Sequence, residues 1–374
     1  MVPAIRHGVT RRSVMQKFAS LAITVPAIVM PPGSAKCDVD LELQPPLRSH
    51  THSSGIRYGC ASPAPIGHPD HMLLEKLAAE ANIYVPESSL KWAATEPQPG
   101  QFDFSEGDSI AAFAERNDML IHGHTLVWYE AIPQWVSQIA TAKDARTALE
   151  RHISTEVQRY RGKIWAWDVV NEPIEPNDLL ENGYRNSVWF RCLGIDYVDL
   201  AFRLARTADP VTPLSLNEYG VEYATAECQR KREATLHLLQ KLRDLNTPID
   251  CFGLQSHLVA DRTFDHRGLA VFLGSVVKLG YQLMITELDV NDCNIVGNVG
   301  QRDAAVAHHV AEYLDIVYSA ARPISIATWG LSDRYTWLRQ YYKRTDGLPL
   351  RPLPLDVNYQ RKLMWAALAK YAAG

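Results

Sequence analysis

Two glutamates, Glu172 and Glu287, are the residues of this chain whose surroundings most suggest chemistry. The stretch WAWDVVNEP is apolar and β-branched, then ends in Asn171, Glu172 and Pro173; the stretch LMITELDV runs through Leu283, Met284 and Ile285 before presenting Glu287 and Asp289. A single carboxylate at the end of a buried strand is best explained as a surface salt bridge. Two of them, flanked by an amide, imidazoles and tryptophans, fit a different arrangement, in which one carboxyl protonates a leaving oxygen while the other attacks the carbon or activates water. That is the equipment for cleaving a glycosidic bond.

For the two acids to meet, the fold must bring distant strand ends together. Short strand-like runs recur along the chain: RYGCAS, IYVPES, MLIHGHTLVW, IWAWDVVNEP, PLSLNEY, CFGLQSHL, LMITELDV and ISIATWGLSD. Between them lie stretches such as DYVDLAFRLARTA and CQRKREATLHLLQKLRDL, whose apolar residues recur at three- and four-residue steps, the helical period. Strand-then-helix alternation implies a parallel sheet with helices outside. Eight such units predict an α/β fold, a single (β/α)8 TIM barrel with its active site at the C-terminal ends of the strands. An open doubly wound sheet would carry a glycine-rich phosphate turn after an early strand, and none is present. Glu172 is then expected to end the fourth strand and Glu287 the seventh, with His257 ending the sixth, beside it.

The chain has 374 residues, 47% of them hydrophobic, enough for a large core, and its net charge of −4 without a basic block gives no sign of nucleic-acid binding, so no nucleic-acid partner is expected. Residues 1–35 differ in kind: paired arginines, Arg11 and Arg12, precede a short apolar run and small residues ending at Ala35. The run is shorter than the ~20 residues a bilayer requires and is interrupted by Pro26, so it reads as a twin-arginine export signal rather than an anchor. The expected organisation is export signal 1–35, linker 36–54 and catalytic domain 55–374, a monomer without stable membrane association, periplasmic or extracellular. Cys37, Cys60, Cys192, Cys228, Cys251 and Cys293 form no CxxC pair and lie at no zinc spacing. No metal or cofactor is expected, and bridged or free thiols are equally compatible with the sequence.

The motifs SLKWAATEPQPGQFDFSEGD, GHTLVW, WDVVNEP, GLQSHL, ITELDV and WGLSD, in this order between Tyr58 and the C-terminus, resemble those of glycoside hydrolase family 10, mainly retaining endo-β-1,4-xylanases on (β/α)8 barrels. The resemblance implies Glu172 as acid/base and Glu287 as nucleophile, with His257 and Asp289 supporting the nucleophile. It implies sugar binding by Glu87, Lys91, His124, Trp128, Asn171, Trp329 and Trp337, with Asn217 and Tyr219 towards the aglycone side and Gln255 as a support. The matching position of Glu218 is structural in the family, so this third strand-end acid is not assigned to catalysis. The chain departs from the pattern where the family reads ENELKW and LVWHSQ: Ser88, Tyr129 and Ala131 replace an Asn, a His and a Gln. The implied activity is hydrolysis of internal β-1,4-xylosidic linkages of xylan through a glycosyl-enzyme intermediate. The alternatives are the same mechanism on decorated xylan or another β-glycan, and a non-catalytic carbohydrate-binding protein.

Overall fold

The computed structural model describes residues 40–373; the export signal, its expected cut after Ala35, and Cys37 lie outside them. Among the described residues there are nine strands: β1 (Arg57–Ser62), β2 (Ile83–Pro86), β3 (Leu120–Val127), β4 (Ile164–Asn171), β5 (Leu214–Glu218), β6 (Cys251–Leu254), β7 (His257–Val259), β8 (Gln282–Asn291) and β9 (Ser325–Thr328). β1 to β6, β8 and β9 are paired in parallel, and β6 pairs with β8 as β1 pairs with β9, so the sheet closes into an eight-stranded barrel. Helices lie between the strands, and strands covered on both faces are almost wholly buried, as parallel strands are.

The sixth run, expected as one strand, is broken. β6 pairs with β8 from Cys251↔Gln282 to Leu254↔Ile285, whereas β7 resumes pairing at His257↔Asp289. β8 therefore contains one residue more than its partner between these points. The same excess appears against β9, where Ile285↔Ile326 is followed by Leu288↔Thr328. This is a β-bulge, which bends a strand and re-aims a side chain. It also corrects the expectation that Glu287 ends its strand: the strand continues to Asn291. Likewise His257 opens β7 rather than closing the sixth strand, because Ser256 before it adopts a left-handed backbone, φ 60°.

Packing explains the local exceptions. Gly123 of β3 lies opposite Trp167 of β4, and a Cβ there would meet the indole at 2.2 Å, so only glycine lets this fully buried ring lie across the strand. Helix Asp196–Ala208 coincides with the amphipathic stretch read from the sequence, burying Val198, Ala201, Phe202 and Ala205 on one face. Helix Val299–Ala320 starts in a capping box between Asn298 and Gln301.

Part of the expected linker is ordered: Leu47–Ser54 is a helix, and Leu47 is fully buried. Its amide donates to Glu80 Oε2 at 2.9 Å, and Trp365 Nε1 of the C-terminal helix Leu363–Ala373 donates to the same oxygen at 3.0 Å. Arg361 grips Glu80 Oε1 through Nε at 2.8 Å and Nη2 at 2.6 Å, so one buried carboxylate ties the two chain ends to the barrel. Cys60, Cys192, Cys228, Cys251 and Cys293 are free thiols. Among the described residues no helix is long and apolar enough to cross a membrane.

Candidate active site

The mouth of the barrel is built from the end of β4 and the bulge of β8. Glu172 follows β4 directly, in a left-handed backbone with φ 57° that a non-glycine residue adopts only when its surroundings enforce it. Its N–H donates to the Asn217 carbonyl at 2.9 Å. In β8, Thr286 and Glu287 are consecutive yet both reach Asn217: Thr286 Oγ1 donates to Oδ1 at 2.7 Å, and Asn217 Nδ2 donates to Glu287 Oε1 at 2.8 Å. A regular strand alternates its faces and would separate the two side chains; the bulge keeps both inward.

The two acids are joined through amides. Gln255 Nε2 donates to Glu172 Oε1 at 2.9 Å and to Asn171 Oδ1 at 3.1 Å. Asn217 Nδ2 donates to Asn171 Oδ1 at 3.0 Å and onward to Glu287. Four hydrogen bonds thus run from one carboxylate to the other, with Asn171 Oδ1 as the shared acceptor in the middle. Gly253 makes room for this, since a Cβ there would lie 2.3 Å from Asn217 Oδ1. Asn217, expected to bind sugar, is fully buried with its amide engaged on three side chains, so it acts as scaffold between the acids.

On its other side Glu287 Oε2 lies 3.3 Å from His257 Nε2, and His257 Nδ1 lies 3.0 Å from Asp289 Oδ1. Burial alone would raise the Glu287 carboxyl, but His124, His257 and Lys91 outweigh it and hold the group below the usual carboxylate range. Burial alone would depress His257, yet Asp289 and then Glu287 push it up to about 10. Raised in this way, His257 favours the imidazolium form, in which both ring nitrogens donate, Nε2 to Glu287 and Nδ1 to Asp289.

The wall beside Glu287 is aromatic. Trp329 follows β9, and Trp337 donates its indole N–H to Asp289 Oδ2 at 2.6 Å. Lys91 Nζ lies 5.0 Å from the Trp128 ring and 5.3 Å from the Trp329 ring. His124 lies inside β3; its Nδ1 lies 2.9 Å from Asp168 Oδ2, and its ring meets Trp329 edge-on. A cavity of about 450 Å³ opens here, lined by Glu87, Ser88, Lys91, Trp128, Ala131 and Trp329 among others. The short side chains of Ser88 and Ala131 contribute to its wall.

Several residues at the site were not singled out from the sequence. Asp168 lies between His122 Nε2 at 3.0 Å and His124, and although burial would raise its carboxyl, the two imidazoles hold it well below the usual range. Its signal was a charge inside the apolar run of WAWDVVNEP, and His122 stands two residues before His124, on the same face of β3. Lys231 pairs with Glu218 at 2.8 Å and sits over the Tyr219 ring at 3.2 Å. Glu218 also accepts from the Ile174 amide at 2.8 Å, so this third acid secures the loop after Glu172. Tyr219, expected at the aglycone side, donates its hydroxyl to Glu175 at 3.1 Å. Arg185, in the β4 loop, reaches Glu172 itself; a lone arginine in a loop has no spacing that would have marked it.

The arrangement offers one carboxylate flanked by cations, a second carboxyl held between amides and the Arg185 guanidinium, and aromatic and polar groups around an open cleft. Comparison with known proteins identifies the family and the fold. The Glycosyl hydrolase family 10 profile matches residues 46–371. Endo-1,4-β-xylanase A of Phanerodontia chrysosporium is 35% identical over 288 residues, 76% of this chain and 66% of that protein, so the chain spans about two thirds of this relative's length. Endo-1,4-β-xylanase B of Thermotoga neapolitana is 30% identical over 79% of this chain and 82% of its own. Among solved structures, native xylanase 10B from Thermotoga maritima superposes with a TM-score of 0.79 at 30% identity, covering 87% of this chain and 98% of that one. Xylanase 10B from Thermotoga petrophila, solved with xylobiose, has a TM-score of 0.78 at 29% identity, covering 87% of this chain and 97% of its own.

Proposed function

The chain belongs to glycosyl hydrolase family 10, and on that premise we propose that it is a retaining endo-β-1,4-xylanase. The observation that carries this reading is the division between the two acids: Glu287 held ionised beside the His257 imidazolium, and Glu172 held at the other end of the amide chain.

The reaction follows from those roles. The Glu287 carboxylate attacks the anomeric carbon of a xylosyl unit, the glycosidic C–O bond breaks, and the leaving oxygen takes the Glu172 proton. The xylosyl ester of Glu287 carries no charge, so Glu172, now ionised, can act as base. It removes a proton from water, the water oxygen attacks the same carbon, and the ester C–O bond breaks to free Glu287. Two inversions give retention, a geometry that calls for carboxyl groups ~5–5.5 Å apart. Asn171 holds the 2-hydroxyl of the sugar being cleaved, while Lys91, His124, Trp329 and Trp337 hold its neighbours. His257, with Asp289 behind it, keeps Glu287 aimed and charged between turnovers.

The test is Glu287→Ala with xylan and xylo-oligosaccharides. We expect turnover to fall on the order of 10⁴-fold or more, as when a covalent nucleophile is removed, and the wild type to release products of retained anomeric configuration. Surviving activity, or inverted products, would overturn the assignment. A non-catalytic binding protein would have no need to keep Glu172, Glu287, Asn171 and His257 in one hydrogen-bonded set. We also propose that the enzyme is exported by the twin-arginine segment at Arg11 and Arg12 and acts as a monomer; the sequence pattern of residues 1–35 supports the export.

A further inference from the structure

Arg185 enters the mouth from the loop after β4 and is almost fully buried, 4% exposed. Its Nε donates to the Glu172 carbonyl at 2.6 Å, and its Nη2 donates to the Tyr219 hydroxyl at 3.0 Å. The same Nη2 lies 3.7 Å from Glu172 Oε2 and 3.9 Å from Glu175 Oε2. The Tyr129 ring covers the guanidinium at 4.0 Å. We infer that Arg185 is a positioning residue for Glu172, fixing the direction of its side chain and governing how readily it releases its proton to the leaving group. This rests on the reading of Glu172 as acid/base.

Two independent features support it. The first is backbone geometry. Glu172 sits at φ 57°, and both of its peptide groups are held: the N–H by Asn217 and the carbonyl by Arg185. A left-handed glutamate relaxes if its surroundings stop enforcing it, and relaxation would swing the carboxyl out of the cleft. The second is charge. Arg185 and Lys231 are matched by Glu175 and Glu218, with Lys231 Nζ 2.8 Å from Glu218 Oε2. This buried wall is therefore neutral while Glu172 carries its proton. When Glu172 donates that proton, its new carboxylate faces a guanidinium already in place, with no solvent to reorganise. Tyr129, standing where the related pattern has histidine, closes that face with an aromatic ring, which keeps the guanidinium charged and dry.

The groups facing Glu172 come from several elements: Arg185 and Glu175 from its own loop, Tyr129 from beyond β3, Glu218 and Tyr219 from the end of β5, and Gln255 from beyond β6. Lys231 and Glu287 stand behind Tyr219 and Asn217. Arg185 also lowers the carboxyls of Glu175 and Glu218 and the phenols of Tyr129 and Tyr219, so the shift in the pH profile is assigned to Glu172 by the leaving-group comparison, to which only the proton donor responds.

The experiment compares Arg185→Met and Arg185→Lys with wild type on two aryl β-xylobiosides, one with a poor leaving group that needs protonation and one activated enough to leave without it. For Arg185→Met we expect a loss in kcat/KM at least about tenfold greater on the poor leaving group than on the activated one, within the range general-acid effects span. We expect the alkaline limb of its pH profile to move to higher pH, and Arg185→Lys, which keeps a charge, to restore the limb towards wild type. Equal losses on both substrates with an unmoved limb would overturn the inference, as would wild-type behaviour of Arg185→Met. A Glu172→Ala control separates the underlying reading: if that variant shows no dependence on leaving group, it is the acid/base assignment that fails. Thermal unfolding of each variant confirms that folded enzyme is being assayed.

Discussion

Trp337 donates its indole N–H to Asp289 Oδ2 at 2.6 Å, and the other oxygen of Asp289 holds His257 at 3.0 Å. The aromatic platform of the cleft and the imidazolium beside the nucleophile therefore share one carboxylate. Asp289→Asn keeps the shape but offers a single acceptor oxygen to two donors and removes the negative charge. Losing one hydrogen bond to a charged group costs about 1.5–3 kcal/mol, so kcat/KM should fall about 10–100-fold. The His257 imidazole should also titrate below its present value of about 10. An imidazole NMR titration unchanged in the variant would contradict the shared-carboxylate account.

His257 also predicts how stability depends on pH. Its folded value, about 10, is raised above the ordinary histidine value of about 6.5. Its stabilising contribution is then fully present below about pH 6.5 and is lost as pH rises towards 10. The melting temperature of wild type minus that of His257→Gln should shrink across this window. A difference that stays constant from pH 6 to 10 would show that His257 is not protonated in the fold.

The cavity lined by Ser88 and Ala131 predicts weak grip on an unsubstituted chain at that end of the cleft. Ser88→Asn returns an amide to an exposed position on the rim. One added hydrogen bond is worth about 1 kcal/mol, so KM for xylotetraose should fall about fivefold with kcat little changed. No change in KM would mean that the sugar does not reach Ser88.

Replacing Arg11 and Arg12 together with lysine should block export and leave the uncleaved precursor in the cytoplasm, read by fractionation and mass of the product. Export of a cleaved protein by that variant would rule out the twin-arginine route.

Much of this fold was readable before the structure. Each barrel strand lies within one largely apolar run, because a strand buried on both faces favours apolar residues. The two acids stood out because charge at the end of such a run is costly unless it is used. What escaped notice depends on relationships between strands. A bulge is defined by register against neighbours, and nothing within ITELDV distinguishes it from a regular strand. The break at Ser256 was hidden because Gln255 and His257 sit in a run that looks continuous. Family resemblance assigns Asn217 towards the aglycone side, yet its amide, in the gap left by Gly253, is turned inward between the two acids. The helix at Leu47–Ser54 owes its place to Glu80 and Trp365, both distant in sequence.

The extra residue of β8 also separates two properties that usually travel together. Removing one residue between Ile285 and Leu288 would restore even pairing with β6 and β9 and return the strand to simple alternation. The shortened barrel would have every reason to fold, and its seventh wall would be smoother than before. It would also carry Glu287 turned away from Asn217. A single residue of register, invisible to composition, thus divides a container from a catalyst.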